Sequence, residues 1–240
     1  MARACVCDTY FTVDSDTGEL CLKPGTMGLR RVLVFNDAGT HQFEKADYPW
    51  LARVRARVQG GGGGSAGANA AANQCIVRPG GAGGGYSESL ISVASLGAVE
   101  TIVVGAGGEA GTTVQGGGTG GSSSFGGFVQ ANGGDGGGAV QTSGTTDDVS
   151  SGVPAPLAGR GQFAQGGGPG GGAIRLNGTN GLSGAGGESF LGHGGYARAG
   201  EGGGNPARGY GGGAGGGLSY GGSVQGTAGG GGVVIVELYG

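Results

Sequence analysis

The stretch Gly209 to Gly217, GYGGGAGGG, carries almost no side chains with which to build a core. If such a segment is ordered, main chain has to pack on main chain. It is the densest of about a dozen glycine runs that follow residue 59. Of the 69 glycines only Gly18, Gly25, Gly28 and Gly39 precede Gly60. The chain therefore divides into an ordinary head and a glycine-rich body. A glycine-rich composition without a period commonly reads as disorder, and no strict Gly-X-Y repeat of the collagen kind is present. The expectation is nonetheless an ordered glycine fold. Fixing one backbone residue opposes folding by roughly 1–2 kcal/mol, most of all for glycine. A net hydrogen bond returns only about 0.5–1.5 kcal/mol. Such a body must be densely hydrogen bonded, closely packed, and framed by conventional strands or by partner chains.

A polyproline II rod has three residues per turn and rises about 3.1 Å per residue, so a six-residue glycine run spans roughly 19 Å. Its N–H and C=O groups point outward and can bond to neighbouring rods. Interior rods are expected to tolerate only glycine, because any Cβ would hold a neighbour away. Side-chain-bearing islands such as Ser124–Val129, Ala173–Leu176 and Ser189–Leu191 belong on outer layers and at turns. Pro169 and Pro206, inside glycine runs, suit this backbone and forbid helix.

The remaining segments read as strands. Cys5-Val6-Cys7, Tyr10–Val13 and Glu19–Lys23 flank the turn Asp14–Gly18, a hairpin signal, which Pro24-Gly25 closes. Arg31–Phe35 and Thr40–Phe43 follow. The clearest alternation is Leu51–Gln59: Val54, Ala56 and Val58 on one face, Arg53, Arg55 and Arg57 on the other. The arginine row reads either as a phosphate or sugar binder or as the wet face of a strand. Tyr86–Val93 and Thr101–Val104 are strands. The closing Val233–Val236 needs a buried place, expected beside Arg53–Gln59 or Thr101–Val104. Val140–Phe163, with few glycines, reads as a long surface loop. No window has a helical period. The fold class is therefore all-β: a small β-sandwich frame with a body of packed polyproline II-type segments and essentially no helix. Two parts are expected. Residues 1–28 form an N-terminal hairpin module. Residues 29–240 form the glycine-rich domain, with strands about 30–59, 86–104 and 232–239 and a glycine-rich insert 105–231.

Few motifs carry chemistry. The net charge is −3, 8 of the 13 Lys and Arg precede residue 60, and no Lys follows Lys45. No nucleic-acid partner is expected from this distribution. No apolar run suits a signal peptide or a membrane helix. Four cysteines in such a chain are expected to be reduced thiols. Cys5-x-Cys7 with Cys21 leaves structural zinc or a disulfide as alternatives, although neither His41 nor Cys75 falls at zinc-type spacing. Asp14-x-Asp16-x-Gly18 has a faint calcium-loop look but lacks the downstream ligands. Thr101–Gly108 superficially resembles a phosphate loop, but no helix follows. No cofactor, metal or catalytic group is expected. His193, Tyr196, Arg198, Asn205, Arg208, Tyr210 and Tyr220, set among Gly, Ser and Asn, are candidates for an adaptable contact surface. The alternative is that they simply cover the glycine stack.

Gly39–Phe43, the junction Ala52-Arg53-Val54-Arg55-Ala56-Arg57-Val58-Gln59 with Gly60–Gly64, Ser122–Gly126 and the closing Val233–Glu237 resemble the glycine-rich domain of bacteriophage tail fibre and minor tail proteins, of actinobacterial phage or prophage type. The resemblance spans roughly residues 29–240. It implies a place in the virion tail and a non-catalytic adhesin that binds a bacterial surface glycan or protein. Other tail proteins would be partners, and a homotrimer is the favoured assembly. Loops 140–163 and 190–210 would make the contacts, and residues 1–28 would attach the chain to the tail. The rival readings are a purely structural tail component, an ice-binding bundle and a depolymerase.

Overall fold

A computed structural model describes residues 8–23 and 25–240. The strand expected at Cys5-Val6-Cys7 and the turn residue Pro24 lie outside these. Among the described residues there is no α-helix, only 3-10 turns at Lys45–Asp47 and Val93–Ser95. The strands of the hairpin and the two main sheets are β1 (Phe11–Val13), β2 (Leu20–Leu22), β3 (Leu29–Phe35), β4 (Gly39–Glu44), β5 (Arg53–Gln59), β6 (Tyr86–Ser92), β7 (Val99–Val104), β8 (Ser123–Phe125), β9 (Val129–Ala131), β10 (Phe163–Gln165) and β11 (Val233–Tyr239).

β1 and β2 form the expected hairpin, with Val13 opposite Leu20. Its turn is closed by Asp14, whose Oδ1 accepts from the amides of Asp16 and Thr17 at 2.9 and 2.8 Å. The acidic cluster is thus a turn device. Two antiparallel sheets make the sandwich. One has the order β10-β6-β5-β11-β3 and the other β9-β8-β7-β4. The closing strand β11 lies between β5 and β3, with Val236 opposite Ala56 and Leu33. Of the two partners expected for it, β5 is the one taken; β7 belongs to the opposite sheet. The period-two alternation of β5 sends Val54, Ala56 and Val58, all fully buried, into the sandwich core. There they meet Phe43, Ile102, Phe125, Val129, Val234, Val236 and Leu238.

The sandwich does not stop at its strand ends. β5, β6, β7, β8, β9, β10 and β11 each run, directly or after one residue, into a glycine segment. The segment after β5 sits at the centre of the resulting bundle. Gly60 and Gly63 donate to Gly85 and Ala82, Gly61 and Gly64 to Gly121 and Gly118, and Gly62 and Ser65 to Gly230 and Thr227. In return Gly134 and Gly137 donate to Gly61 and Gly64, Gly108 and Gly111 to Gly62 and Ser65, and Ala214 to Gly63. Every third residue addresses the same neighbour, the signature of a threefold rod. Six segments surround this one rod, so the array is hexagonal. Residues 80–85 repeat the pattern, donating in turn to 168–171, 211–214 and 132–135. The bundle is polyglycine of the expected kind.

Residues 60–68, 76–87 and 211–219 are buried throughout. Outer rods instead bury one residue in three: Gly105, Gly108 and Gly111, then Ala131, Gly134 and Gly137. Two expectations need correction. Interior rods are not restricted to glycine, since Ala82 and Ala214 are fully buried within them; a threefold rod leaves room for a single methyl at selected positions. Val140–Phe163 is not a free loop. Its Asp148–Ser150 segment pairs with Ala173–Arg175, Val153 bridges Gly170, and Arg160 and Gln130 exchange both backbone hydrogen bonds. Unmet carbonyls on the bundle's flank give any passing chain a place to pair.

Candidate functional site

The seven candidate contact residues do not form one surface. His193 pairs with Arg208 across a short antiparallel bridge near the sandwich. Both are exposed, and His193 Nδ1 lies 2.8 Å from Glu188 Oε2. Tyr196, three residues further along the rod, is 60% exposed. Tyr210 is half-buried and its carbonyl accepts from Ser189 Oγ.

Of the other three residues Asn205 is buried, and Arg198 and Tyr220 are half-buried and tied by internal hydrogen bonds. Asn205 is 4% exposed. Its Oδ1 accepts from Arg198 at 2.8 Å and its Nδ2 donates to the Tyr196 carbonyl at 2.9 Å. Asn205 therefore leaves the set of contact candidates: a short amide replaces a missing rod neighbour and brackets two turns. Arg198 also donates to the Glu201 carbonyl. The Tyr220 hydroxyl donates to Ala199 O, while its amide donates to Glu201 Oε1 at 3.0 Å. The exposed remainder is His193, Tyr196 and Arg208.

The arginine row of β5 is a second candidate surface. It lies on the outer face of the five-stranded sheet, between β6 and β11. Arg55 Nη2 donates to both carboxylate oxygens of Glu88 at 2.9 Å. Arg57 donates through Nε to the Tyr86 hydroxyl at 3.0 Å and through Nη1 to Glu237 at 3.3 Å. The Tyr86 hydroxyl donates to Glu88 at 2.6 Å, and the Tyr239 hydroxyl to Glu237 at 2.9 Å. Two of the three guanidinium groups thus face two carboxylates, while Arg53 lies over the Tyr239 ring with its guanidinium carbon 5.4 Å from the centroid. Of the two sequence alternatives, the outer, partly exposed face of a strand is where the row lies, with ion pairs to its neighbours added. The missed signal was the pair of acids on the flanking strands: Glu88 sits opposite Arg57, and Glu237 opposite Arg55.

Burial pushes the Glu88 carboxyl upward, but the hydrogen bonds from Tyr86 and Arg55 outweigh it and hold the group below its ordinary value. A depressed folded-state pKa means that stability is present above the unfolded value and lost as pH falls through the folded one. Wild-type stability is therefore expected to fall below about pH 4, the ordinary glutamate range. The Glu88→Gln variant should lose part of that slope while remaining folded. Urea titrations at neutral pH and at about pH 3 check this; an unchanged slope in the variant would assign the acid sensitivity to other carboxylates.

Among the described residues, Cys21 and Cys75 are free thiols, the first exposed and the second buried. Burial raises the Cys75 pKa, with Arg175 opposing, so this thiol is a packed side chain of the bundle's far end. No group of three potential metal ligands occurs among the described residues. Cys5 and Cys7 lie outside them.

A family model described as a glycine-rich domain matches residues 39–239. The chain belongs to this glycine-rich domain family. Within the glycine-rich domain, the match begins at β4 and ends in β11, so it takes in nearly all of the sandwich and the whole bundle. The hairpin of β1 and β2 lies outside it. No curated protein matches the sequence. The family membership concerns the architecture and carries no link to phage tails.

Proposed function

We propose that this glycine-rich domain protein is a non-catalytic binding component of a phage or phage-derived tail, carried at the tail tip or fibre and directed at a bacterial host surface. One observation carries the reading. The sandwich strands run on into a hexagonal glycine bundle, so a stiff body displays side chains only on its flanks and turns. Stiffness lowers the entropy lost on binding. The resemblance of the strand-to-glycine junctions to phage tail proteins supplies the tail assignment. In this reading His193, Tyr196 and Arg208 meet the host, and the chain is assembled with other tail proteins. A homotrimer remains part of the proposal, although the central rod finds all six neighbours within one chain.

The test is labelling of intact bacteria by the purified, fluorescently tagged chain. The triple variant His193→Ala, Tyr196→Ala, Arg208→Ala should label at least about fivefold less well, the scale of losing roughly 1 kcal/mol at an interface. Wild-type protein that labels no candidate host, yet enters tail particles, would replace this reading by the structural one. That second reading has its own observation. Val13, Leu20 and Leu22 are exposed on one face of the hairpin, a surface suited to burial in an assembly.

A further inference from the structure

The arginine row ends against an aromatic cluster that the sandwich core does not use. Tyr86 is 1% exposed, and Phe190 stacks on its ring with centroids 4.1 Å apart and planes at 20°. Phe163 on β10 stands 6.5 Å from Phe190 at 60°. These two phenylalanines are 46% and 51% exposed. With Arg55, Arg57 and Glu88 they line a shallow groove of about 290 Å³, at the small end of ligand sites.

The groove is held rigidly. Phe163 is opposite Glu88 in the sheet. The turn bearing Phe190 is fixed by Ser189 Oγ, whose single O–H lies within reach of the Gly192 and Tyr210 carbonyls, and by the Leu191 amide, which donates to Gln59 Oε1. Arg57 Nη2 and Arg55 Nε make no hydrogen bond among the described residues, which leaves donors beside the rings.

From this geometry we infer that the groove is a binding site for a neutral saccharide unit, with the sugar's C–H face on Phe163 and Phe190 and its hydroxyls on Arg55, Arg57 and Glu88. The charge pattern selects the class. Each guanidinium already faces a carboxylate, so a phosphate or carboxylate ligand would meet acid as well as base. A hydroxyl both donates and accepts, and fits such a mixed row. Exposed rings with planar polar groups at their edge match a ligand that is apolar on its face and polar around its rim. The inference deepens the host-surface reading, on which it rests for its natural ligand: it names a glycan and adds a subsite on the sheet to the contacts on the bundle flank.

The test is NMR of the full chain with labelled phenylalanine rings, titrated with the methyl glycosides of glucose, galactose, mannose, rhamnose and N-acetylglucosamine, and with glucose 1-phosphate. At least one neutral glycoside should shift the Phe163 and Phe190 ring signals, with a dissociation constant on the millimolar scale. Phe163→Ser and Phe190→Ser, both exposed positions, should each weaken that binding about tenfold with an unchanged circular dichroism spectrum. The inference is overturned if no glycoside shifts the rings up to its solubility. It is equally overturned if binding survives both substitutions, or if glucose 1-phosphate binds more tightly than every neutral glycoside. Cell labelling separates the two proposals. Variants that lose glycoside binding but label cells fully would sink the groove as the host site and leave the host-surface reading standing. A wild-type chain that binds glycoside and labels no cell would do the reverse.

Discussion

Replacing Gly62 by alanine is expected to cost about 4 kcal/mol or more, enough to unfold a typical domain in part or whole. A Cβ at this position would lie 2.0 Å from the Gly212 carbonyl oxygen and 2.6 Å from that of Gly211. Both are backbone atoms of another buried rod, so no flexible side chain can swing aside. To make room the rods at 60–65 and 211–217 must separate. That would stretch the hydrogen bond from Ala214 to Gly63 that joins them, and leave buried backbone groups unpaired. Gly231→Ala is the matched control. It is exposed, has no atom within 4 Å of its built Cβ and is not at positive φ, so its effect should stay within about 0.5 kcal/mol. Thermal and urea unfolding of the two variants decide the matter. If Gly62→Ala unfolds within about 1 kcal/mol of the wild type, the rods part more easily than hexagonal packing allows.

The second large effect is expected at Arg78, which is 2% exposed at the end of the bundle far from the sandwich. Its guanidinium donates through Nε to Gly67 O, through Nη1 to Gln141 O and through Nη2 to Thr113 O, each at 2.8 Å. Three chain segments are thereby tied where the rods run out of rod neighbours. Burial draws the guanidinium pKa below its ordinary value, yet an arginine stays charged in a protein. Arg78→Met keeps the volume and strips the donors, leaving up to three carbonyls short of a partner. Removing a desolvated charge offsets part of that loss, so about 2–4 kcal/mol is expected rather than the sum of three charged hydrogen bonds. Arg78→Lys should recover only part, because one ammonium cannot reproduce the planar fork. Hydrogen exchange should show the loss concentrated at residues 66–78 and 112–115. Wild-type stability in the methionine variant would mean that the carbonyls find water or one another instead.

Much of this architecture was legible in the residues. The alternation in Arg53–Gln59 placed Val54, Ala56 and Val58 in the core, because strand side chains alternate faces whatever surrounds them. The glycine density after Gly60 announced rods packed main chain to main chain. Asp14–Gly18 announced the hairpin turn. A finer signal within the runs went unread. Leu182, Ala185 and Glu188 recur every third residue, as do Ala106 and Glu109, and Asn132 and Asp135. Glu109, Asp135, Leu182, Ala185 and Glu188 are exposed, since a threefold rod shows one residue in three to solvent. The candidate contact set was only partly legible. Tyr196 and Arg208 are exposed as a surface role requires, but Asn205 is buried. Nothing local distinguishes an amide that faces solvent from one that substitutes for a missing rod.

The sequence by itself determined that this protein is all-β, that its body is bare backbone in threefold rods, and which face of β5 is buried. Those properties follow from single-residue sterics and from periods of two and three, which are local. Only the tertiary structure decided which rod lies beside which, that Glu88 and Glu237 pair with Arg55 and Arg57, and that Phe163 and Phe190 stand together beside Tyr86. Glycine makes all rods nearly alike, so their order is set by the turns and by the sandwich strands that feed them. The meeting of residues such as Arg57 and Glu237, 180 positions apart, depends on that order and leaves no trace in either neighbourhood.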